Sequence, residues 1–184
     1  MKPKLFIVTG SVFKFQDLSA KLNEIFDCEK RPWSKPEIQG DPEEIIKHKL
    51  SRAYEIYQHP VLVDDVSVNM DALNGFPGPY QKDFWKCFTP EEMGKKFEGT
   101  RISATCWLGL KRKEGEAIIA KGTFHGKIVA PKNNDHKGRE FELFVQLDGM
   151  DKIMLEYSPE AYAEFSHRGR ALKNLLEILE KESI

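Results

Sequence analysis

The sequence predicts an α/β protein built as one domain, residues 1–184, around a mixed sheet. Short apolar runs typical of buried strands alternate with helical patterns near both ends of the chain. Between them lie two long segments in which apolar and polar residues alternate, as in half-buried antiparallel strands. Repeats, linkers and low-complexity segments are absent from the sequence. A single sheet-centred core fits these observations, and a division into two lobes around a cleft stays open.

The composition favours an intracellular globular protein. Hydrophobic residues make up 40% of the chain and charged residues 31%, which is ordinary for a globular domain. The net charge of −1 gives no electrostatic reason to expect nucleic acid or an anionic membrane as a partner. Cys28, Cys87 and Cys106 lack the spacing of a disulfide framework or a zinc site. The run Leu5–Val8 is too short for a signal peptide or a membrane span, so we expect a cytoplasmic protein.

The first strand and helix are predicted on either side of a small-residue turn. Lys4–Val8 is typical of a buried strand, residues 9–11 form the turn, and a helix follows from about Val12 to Phe26. This order brings backbone N–H groups and a helix N-terminus to a point where a phosphate can bind. Lys14 would add a positive charge there. A plain helix entry explains the same residues, and the ending of a Walker loop is missing.

A second helix is predicted for residues 41–57. It opens with an aspartate cap, a proline at the first position and a glutamate three residues after the cap. Glu37 precedes it in a short extended segment and has no comparable local role. Lys49 lies within the helix, and the pattern leaves open whether its side chain is solvated or reaches into a cleft.

The stretch from Val61 to Tyr80 carries the most distinctive residues. Val61–Val63 predicts a short buried strand that ends at Asp64 and Asp65, which would place two carboxylates at the rim of the sheet. The segment GFPGPY at 75–80 predicts a rigid turn, because its glycines permit positive φ and its prolines fix φ. A solvated acidic pair beside an ordinary loop is the plainer alternative.

The remaining elements are predicted from capping signals and periodicity. They comprise an aromatic-rich helix at 80–88, a capped helix from Thr89 to Phe97, strands at 101–110 and 117–130, a polar loop at 132–139, a segment at 141–147 and a final helix after 166–170.

These features together suggest a nucleotide site. Carboxylates from separate parts of the chain can hold Mg²⁺, which prefers oxygen ligands. The small-residue turn and the lysines suit a polyphosphate, and His167 and Arg168 supply donors at a helix start. A metal, a polyphosphate and a donor-rich pocket indicate a nucleoside triphosphate. The residues alone lead no further than a metal-dependent nucleotide site.

Seven segments then match one known family in its own order. They are VTGSVFK at 8–14, PEIQGDPEEI at 36–45, VLVDD at 61–65, ALNGFPGPY at 72–80, GKIVAP at 126–131, LDG at 147–149 and SHRGRAL at 166–172. On these residues the chain resembles the inosine triphosphate pyrophosphatases, or Ham1-like family. The resemblance implies an elongated mixed sheet with flanking helices and two lobes around a central cleft. It also implies a homodimer and Mg²⁺-dependent hydrolysis of ITP, XTP or dITP to the monophosphate and pyrophosphate.

The resemblance also implies roles for individual residues. Glu37 and Asp65 correspond to the metal-binding acids, and Asp65 to the general base. The substrate-binding positions correspond to Thr9, Gly10, Ser11, Lys14, Lys49, Asp64, Lys82, Phe141, Glu142, His167 and Arg168. His167 and Arg168 match the pair that recognises the base. Donors there would satisfy a purine 6-carbonyl and disfavour adenine, whose 6-amino group is itself a donor.

Several positions depart from the family pattern. Ser11 stands where the family usually has asparagine, and Tyr162 where it has a substrate-binding lysine. Glu140 replaces a glycine and Glu142 replaces an aspartate beside Phe141. The residues that correspond to the metal and phosphate positions match the family well. Several residues that correspond to base recognition and the adjoining loop differ from it. The alternative function is therefore a nucleotide-binding protein with weak turnover or altered base specificity, and the sequence does not rank ITP, XTP and dITP.

Overall fold

The computed structural model describes residues 1–131 and 140–182, which form a mixed α/β fold. The strands are β1 (Lys4–Val8), β2 (Asp27–Arg31), β3 (Val61–Met70), β4 (Pro77–Gly78), β5 (Arg101–Lys111), β6 (Ile118–Ile128) and β7 (Val145–Leu147). The helices are α1 (Val12–Leu22), α2 (Pro42–Tyr57), α3 (Gln81–Trp85), α4 (Pro90–Phe97), α5 (Pro159–Phe165) and α6 (His167–Glu182). Short 3₁₀ turns cover 71–73, 140–143 and 154–156. Among the described residues, no helix is long and apolar enough to cross a membrane.

One sheet contains all of these strands, in the order β2-β1-β3-β5-β6-β7, with β4 paired to β3. β1 runs parallel to both β2 and β3, whereas β3 with β4 and β6 with β7 are antiparallel. The predicted mixed sheet is therefore confirmed. The connection between β5 and β6 is too short for a parallel crossover, so these neighbours are antiparallel as predicted.

The strand that carries the two acids is longer than predicted. β3 continues from Val61 to Met70, so the prediction that it ends at Asp64 and Asp65 was wrong. Apolar residues continue to alternate beyond the acids, and Val66, Val68 and Met70 are buried. Pairing with β1, however, stops where Val8 meets Val63. Both acids therefore lie just beyond the carboxyl end of the neighbouring strand, at a position where α/β sheets place ligand sites.

Two further differences affect the first part of the chain. α1 ends at Leu22 instead of Phe26, with Asn23 as its C-cap. The strand β2, at Asp27–Arg31, was not predicted, because its sequence DCEKR is polar and lacks the β-branched residues that mark strands. It lies at one end of the sheet order, where a half-exposed strand tolerates polar side chains.

The chain divides into two compact units, which we describe separately. Unit 1 comprises residues 1–65, 106–122 and 167–184, and unit 2 comprises 66–105 and 123–166. In unit 1, strands β1 and β3 pack against α2 through a core cluster of Phe6, Val8, Ile46, Leu50, Ala53, Val61 and Val63. In unit 2, the core is rich in aromatic rings, and Phe84 contacts Phe76, Trp85, Phe88 and Phe97.

Candidate functional site

The turn after β1 is built as its sequence suggests. Ser11 is the N-cap of α1, and its Oγ accepts a hydrogen bond from the Lys14 backbone nitrogen at 3.3 Å. The Ser11 N–H in turn donates to Thr9 Oγ1 at 3.2 Å. The Thr9 N–H donates to the Arg31 carbonyl at 2.8 Å, which ties the turn to β2. These bonds fix the first turn of α1 and the start of the Lys14 side chain.

Lys14 reaches from this helix to the first acid of β3. Its Nζ lies 2.7 Å from Asp64 Oδ2, and Arg168 Nε lies 3.8 Å from the same oxygen. Asp64 is buried. Burial alone would raise the pKa of Asp64, but the charges of Lys14, Arg168 and Lys49 outweigh it and lower that pKa to about 2. Asp64 is therefore ionised near neutral pH, between two cations.

The second acid of β3 has a different environment. Lys49 Nζ donates to Glu37 Oε1 at 2.6 Å and to the Asp64 carbonyl oxygen at 2.9 Å, and it lies 3.9 Å from Asp65 Oδ1. The Lys49 side chain is buried, which settles the alternative that the sequence left open. Glu37 and Asp65 therefore approach a single ammonium group from two separate parts of the chain.

Burial and charge act on Asp65 and Lys49 in opposite ways. Burial raises the pKa of Asp65 to about 6, and the nearby carboxylates of Glu37 and Asp64 support that rise against Lys49 and Lys14. Burial would lower the pKa of Lys49, but Asp64 and Glu37 outweigh it and raise that pKa. Near neutral pH, Lys49 is thus charged. Asp65 is close to its pKa at that pH, so its carboxylate can readily take up and release a proton. The two adjacent aspartates therefore differ at neutral pH, where Asp64 is fully ionised and Asp65 is close to its pKa.

The start of α6 supplies the remaining groups of unit 1. A Cβ on Gly122 would lie 2.5 Å from the His167 carbonyl oxygen and 2.1 Å from the Ala171 nitrogen, so only glycine lets β6 approach this first helical turn. Arg168 Nη1 lies 2.7 Å from Asp17 Oδ2 on α1. Burial, followed by the charges of Arg168 and Lys14, lowers the pKa of His167 well below its usual value, so its imidazole is neutral.

With this geometry established, comparison with known proteins identifies the family. The model of the Ham1 family matches residues 5–178. The chain belongs to the Ham1 family. The resemblance read from the seven motif segments is thereby confirmed.

Curated relatives of this Ham1 chain carry a common name. Proteins named inosine triphosphate pyrophosphatase from Schizosaccharomyces pombe and Encephalitozoon intestinalis are each 31% identical to it. The matches cover 97% of this chain in both cases, and 96% and 97% of the relatives. The protein of the same name from Neurospora crassa is 32% identical, over 95% of this chain and 92% of its own length.

Solved structures confirm the predicted fold class. The HAM1 protein of Coxiella burnetii superposes with a TM-score of 0.80 at 20% identity, covering 98% of this chain and 100% of its own. The Staphylococcus aureus Ham1 protein gives a TM-score of 0.74 at 21% identity, over 97% and 100% of the two chains. A nucleoside-triphosphatase, described as a dITP/XTP pyrophosphatase, from Mycobacterium abscessus gives 0.67 at 22%, over 96% and 99%. At these identities the likeness concerns the fold alone.

The residues expected from the Ham1 motifs fall in both units. Unit 1 contains those of the turn, the acids, Lys49 and the start of α6, namely Thr9, Gly10, Ser11, Lys14, Glu37, Lys49, Asp64, Asp65, His167 and Arg168. Unit 2 contains Lys82, Phe141 and Glu142. Lys82 is exposed on α3. Phe141 packs against Trp85 and Phe144, and Glu142 is buried.

The departures from the Ham1 pattern have different structural settings. Tyr162 is buried in α5, 4% exposed, and its ring contacts Phe165. It therefore acts as a core residue of unit 2, in a place where the family has a lysine. The predicted polar loop at 132–139 lies outside the described residues. Glu140 begins the 3₁₀ turn at 140–143.

The donor set around Lys49 suits a hard divalent cation. Among the described residues, no group of three or more histidine, cysteine, aspartate or glutamate side chains forms a ready-made metal cage. Glu37, Asp65 and the Asp64 carbonyl do, however, turn oxygen atoms toward one cationic group. Mg²⁺ in nucleotide enzymes is bound by one or two carboxylates and completed by phosphate oxygens and water. The residues present therefore fit that ion.

Two features of the site were not predicted. Asp17 is a hydrogen-bond partner of Arg168, 151 residues away along the chain, and neither residue carries a local sign of the pairing. Lys14 and Arg168 both approach Asp64 Oδ2, although the motifs assign Lys14 to phosphate and Arg168 to the base. In unit 1, the residue that the motifs assign to phosphate and the residue that they assign to the base thus approach the same carboxylate, that of Asp64.

Proposed function

We propose that the protein hydrolyses non-canonical purine nucleoside triphosphates, among them ITP, XTP and dITP, to the monophosphate and pyrophosphate. Such an activity removes deaminated purines from the nucleotide pool. The family and the shared name of its relatives support the reaction class. The observation that carries the proposal for this chain is the contrast between Asp64 and Asp65, a fixed anion beside a carboxylate with a pKa near 6.

Asp65 is the general base in the proposed reaction. A water molecule attacks the α-phosphorus, the bond from that phosphorus to the bridging oxygen of the β-phosphate breaks, and pyrophosphate leaves. The proton of the water passes to the Asp65 carboxylate, whose raised pKa suits it to accept a proton near neutral pH. Asp64 keeps its charge and holds Lys14 in place.

Positive groups around the acids bind the triphosphate. Lys14 and the N-terminus of α1 lie at the turn after β1, and Lys49 lies beside both acids. Glu37 and Asp65 would hold Mg²⁺, which when bound neutralises charge that develops on the phosphate oxygens. His167 and Arg168 are the proposed base-recognising groups, and Lys82, Phe141 and Glu142 of unit 2 are proposed to contact substrate.

A substrate panel tests this function. The purified protein is incubated with ITP, XTP, dITP, GTP and ATP in Mg²⁺, and phosphate release is compared with and without added inorganic pyrophosphatase. We expect phosphate only when that enzyme is added, and faster release from ITP than from ATP. Phosphate release without it would indicate a phosphatase acting at the terminal phosphate. Tight binding of ITP without product would support the alternative, a nucleotide-binding protein with weak turnover.

The cellular setting and assembly are part of the proposal. Cys28, Cys87 and Cys106 are all free thiols, which suits the reducing cytoplasm. The homodimer rests on the family resemblance, and light scattering on the eluted protein tests it through the measured molar mass.

A further inference from the structure

The ammonium group of Lys49 lies where the proposed metal site would hold its cation. Its Nζ contacts Glu37 Oε1 and the Asp64 carbonyl oxygen at 2.6 and 2.9 Å, and Asp65 Oδ1 lies 3.9 Å away. These oxygens are the same donors that a divalent cation would use. The Lys49 ammonium and a divalent cation would compete for these oxygens, because two positive charges at one site repel each other and the Lys49 and Asp65 side chains are largely shielded from water, although Glu37 is partly exposed.

We propose that Lys49 is the resident counter-ion of the Glu37–Asp65 site and that a divalent cation displaces it. This inference rests on the proposed function, since it concerns the cation of that same site. In the metal-free protein the ammonium holds the two acids together. Once a divalent cation replaces it, the ammonium is released from the acids and becomes available to a phosphate group of the substrate.

The Lys49 side chain has both the reach and a neighbour that would report its movement. Four methylene groups join the ammonium to α2, so Nζ can move by several ångströms while the helix stays in place. Nζ also lies 5.7 Å from the centroid of the Trp33 ring, within range of a cation–π interaction. Displacement of the ammonium would change this distance, and with it the indole emission of Trp33.

Metal binding without nucleotide gives the first test. Mn²⁺ affinity is measured by electron paramagnetic resonance for the wild type and for Lys49→Met, which keeps an unbranched side chain of similar length and removes the charge. Loss of the competing cation should tighten Mn²⁺ binding about tenfold. Unchanged or weaker binding by a folded Lys49→Met protein would overturn the proposal.

Lys47 offers a matched control on the same helix. Its Nζ also lies 2.6 Å from a glutamate oxygen, that of Glu43, but both side chains are more than half exposed. Lys47→Met therefore removes one lysine and one ion pair from α2 without changing the Glu37–Asp65 site. Its Mn²⁺ affinity should equal that of the wild type. Equal tightening in both variants would mean that net charge, not displacement, is responsible, and would also overturn the proposal.

Trp33 emission gives a second test, and the result that would overturn the proposal is measured with Lys49 in place, so it does not depend on the folding of Lys49→Met. Trp85→Phe and Trp107→Phe together leave Trp33 as the single indole, since the sequence has 3 tryptophans. Saturating Mg²⁺ should change the emission of this protein, and adding Lys49→Met should abolish the change. Emission that stays constant through the Mg²⁺ titration, with Lys49 present, would show that the ammonium does not move and would overturn displacement.

The outcome is separable from that of the proposed function. Hydrolysis of ITP is measured on the wild type alone. If ITP is hydrolysed while Lys49→Met binds Mn²⁺ no more tightly, the counter-ion proposal fails and the function stands. If displacement is observed but no ITP is hydrolysed, the function fails and the counter-ion stands.

Discussion

The two units of the protein contain ion pairs that differ in how deeply they are buried. In unit 1, the side chains of Asp64, Lys49 and Arg168 are buried, and each of them takes part in an ion pair. In unit 2, the Arg101–Asp148 pair is close to half exposed, and packed aromatic rings form a large part of the core beside aliphatic side chains. Burying charge carries a large desolvation cost, whereas apolar packing stabilises a fold directly. Since apolar residues could replace these buried charges at lower cost to stability, their presence in unit 1 indicates a chemical role there.

The largest expected effect concerns Asp65, the base in the buried network. Asp65→Asn keeps the size of the side chain and removes the proton acceptor. We expect kcat for ITP to fall by about 10²–10⁴-fold, the usual contribution of a positioned base. Circular dichroism should show an intact fold. Near-normal turnover by this variant would remove Asp65 from the mechanism.

Asp64 should matter most for stability, because it is buried between two cations. Asp64→Asn leaves Lys14 and Arg168 without their shared anion, and we expect the free energy of unfolding to fall by about 3–5 kcal/mol. Urea denaturation measures this. Asp148→Asn in unit 2 is the matched control, since it removes one carboxylate from an exposed pair, and it should have little effect. An equal loss of unfolding free energy in both variants would contradict the proposed difference between the two units.

The pH dependence of stability should separate Asp65 from Asp64. The folded-state pKa of Asp65 is raised from 3.8 to about 6, so its stabilising contribution is complete below pH 3.8 and is lost as pH rises through about 6. That rise corresponds to about 3 kcal/mol. In a chelator, Asp65→Asn should therefore match the wild type near pH 4 and become more stable than it by about 3 kcal/mol at pH 8.

The contribution of Asp64 to stability depends on pH in the opposite direction. Its pKa is lowered from 3.8 to about 2, so its contribution is complete above pH 3.8 and is lost as pH falls through about 2. Denaturation curves of Asp65→Asn and Asp64→Asn across pH 2–8 compare the two directly. An Asp65→Asn variant that is less stable than the wild type at pH 8 would contradict the raised pKa.

Local sequence signals predicted the elements of unit 1 better than they predicted its site. The Asp41 cap and the Ser11 turn depend on neighbouring residues, and both helices begin where the sequence indicates. The opposite characters of Asp64 and Asp65 depend instead on which cation each one meets. Lys14 reaches Asp64 across 50 positions of the chain, and Lys49 meets Glu37 from a different element. The sequence pattern identifies the two acids, but their charge states depend on contacts that form only when the chain folds.

Unit 2 shows the same limit in its aromatic residues. The sequence predicted an aromatic-rich helix near residues 80–88, and the family resemblance implied that Phe141 binds substrate. The structure places Phe141 in contact with Trp85, Phe124 and Phe144, so its ring is also part of the aromatic core. Aromatic residues carry no sequence mark that separates a ring that packs from a ring that binds.

The smallest expected effect tests whether Arg168 recognises the base or serves only as an internal ion pair. Asp17 accepts a hydrogen bond from Arg168 Nη1 at 2.7 Å and holds the guanidinium in place without belonging to the proposed substrate contacts. Asp17→Asn should lower the ratio of kcat/KM for ITP to that for ATP by about tenfold, because a loosened guanidinium donates less well to a 6-carbonyl. Asp148→Asn, which loosens Arg101 in unit 2, should leave the ratio unchanged. A loss of stability in Asp17→Asn with the ratio intact would mean that Arg168 only anchors α6 to α1, and base selectivity would have to come from other residues.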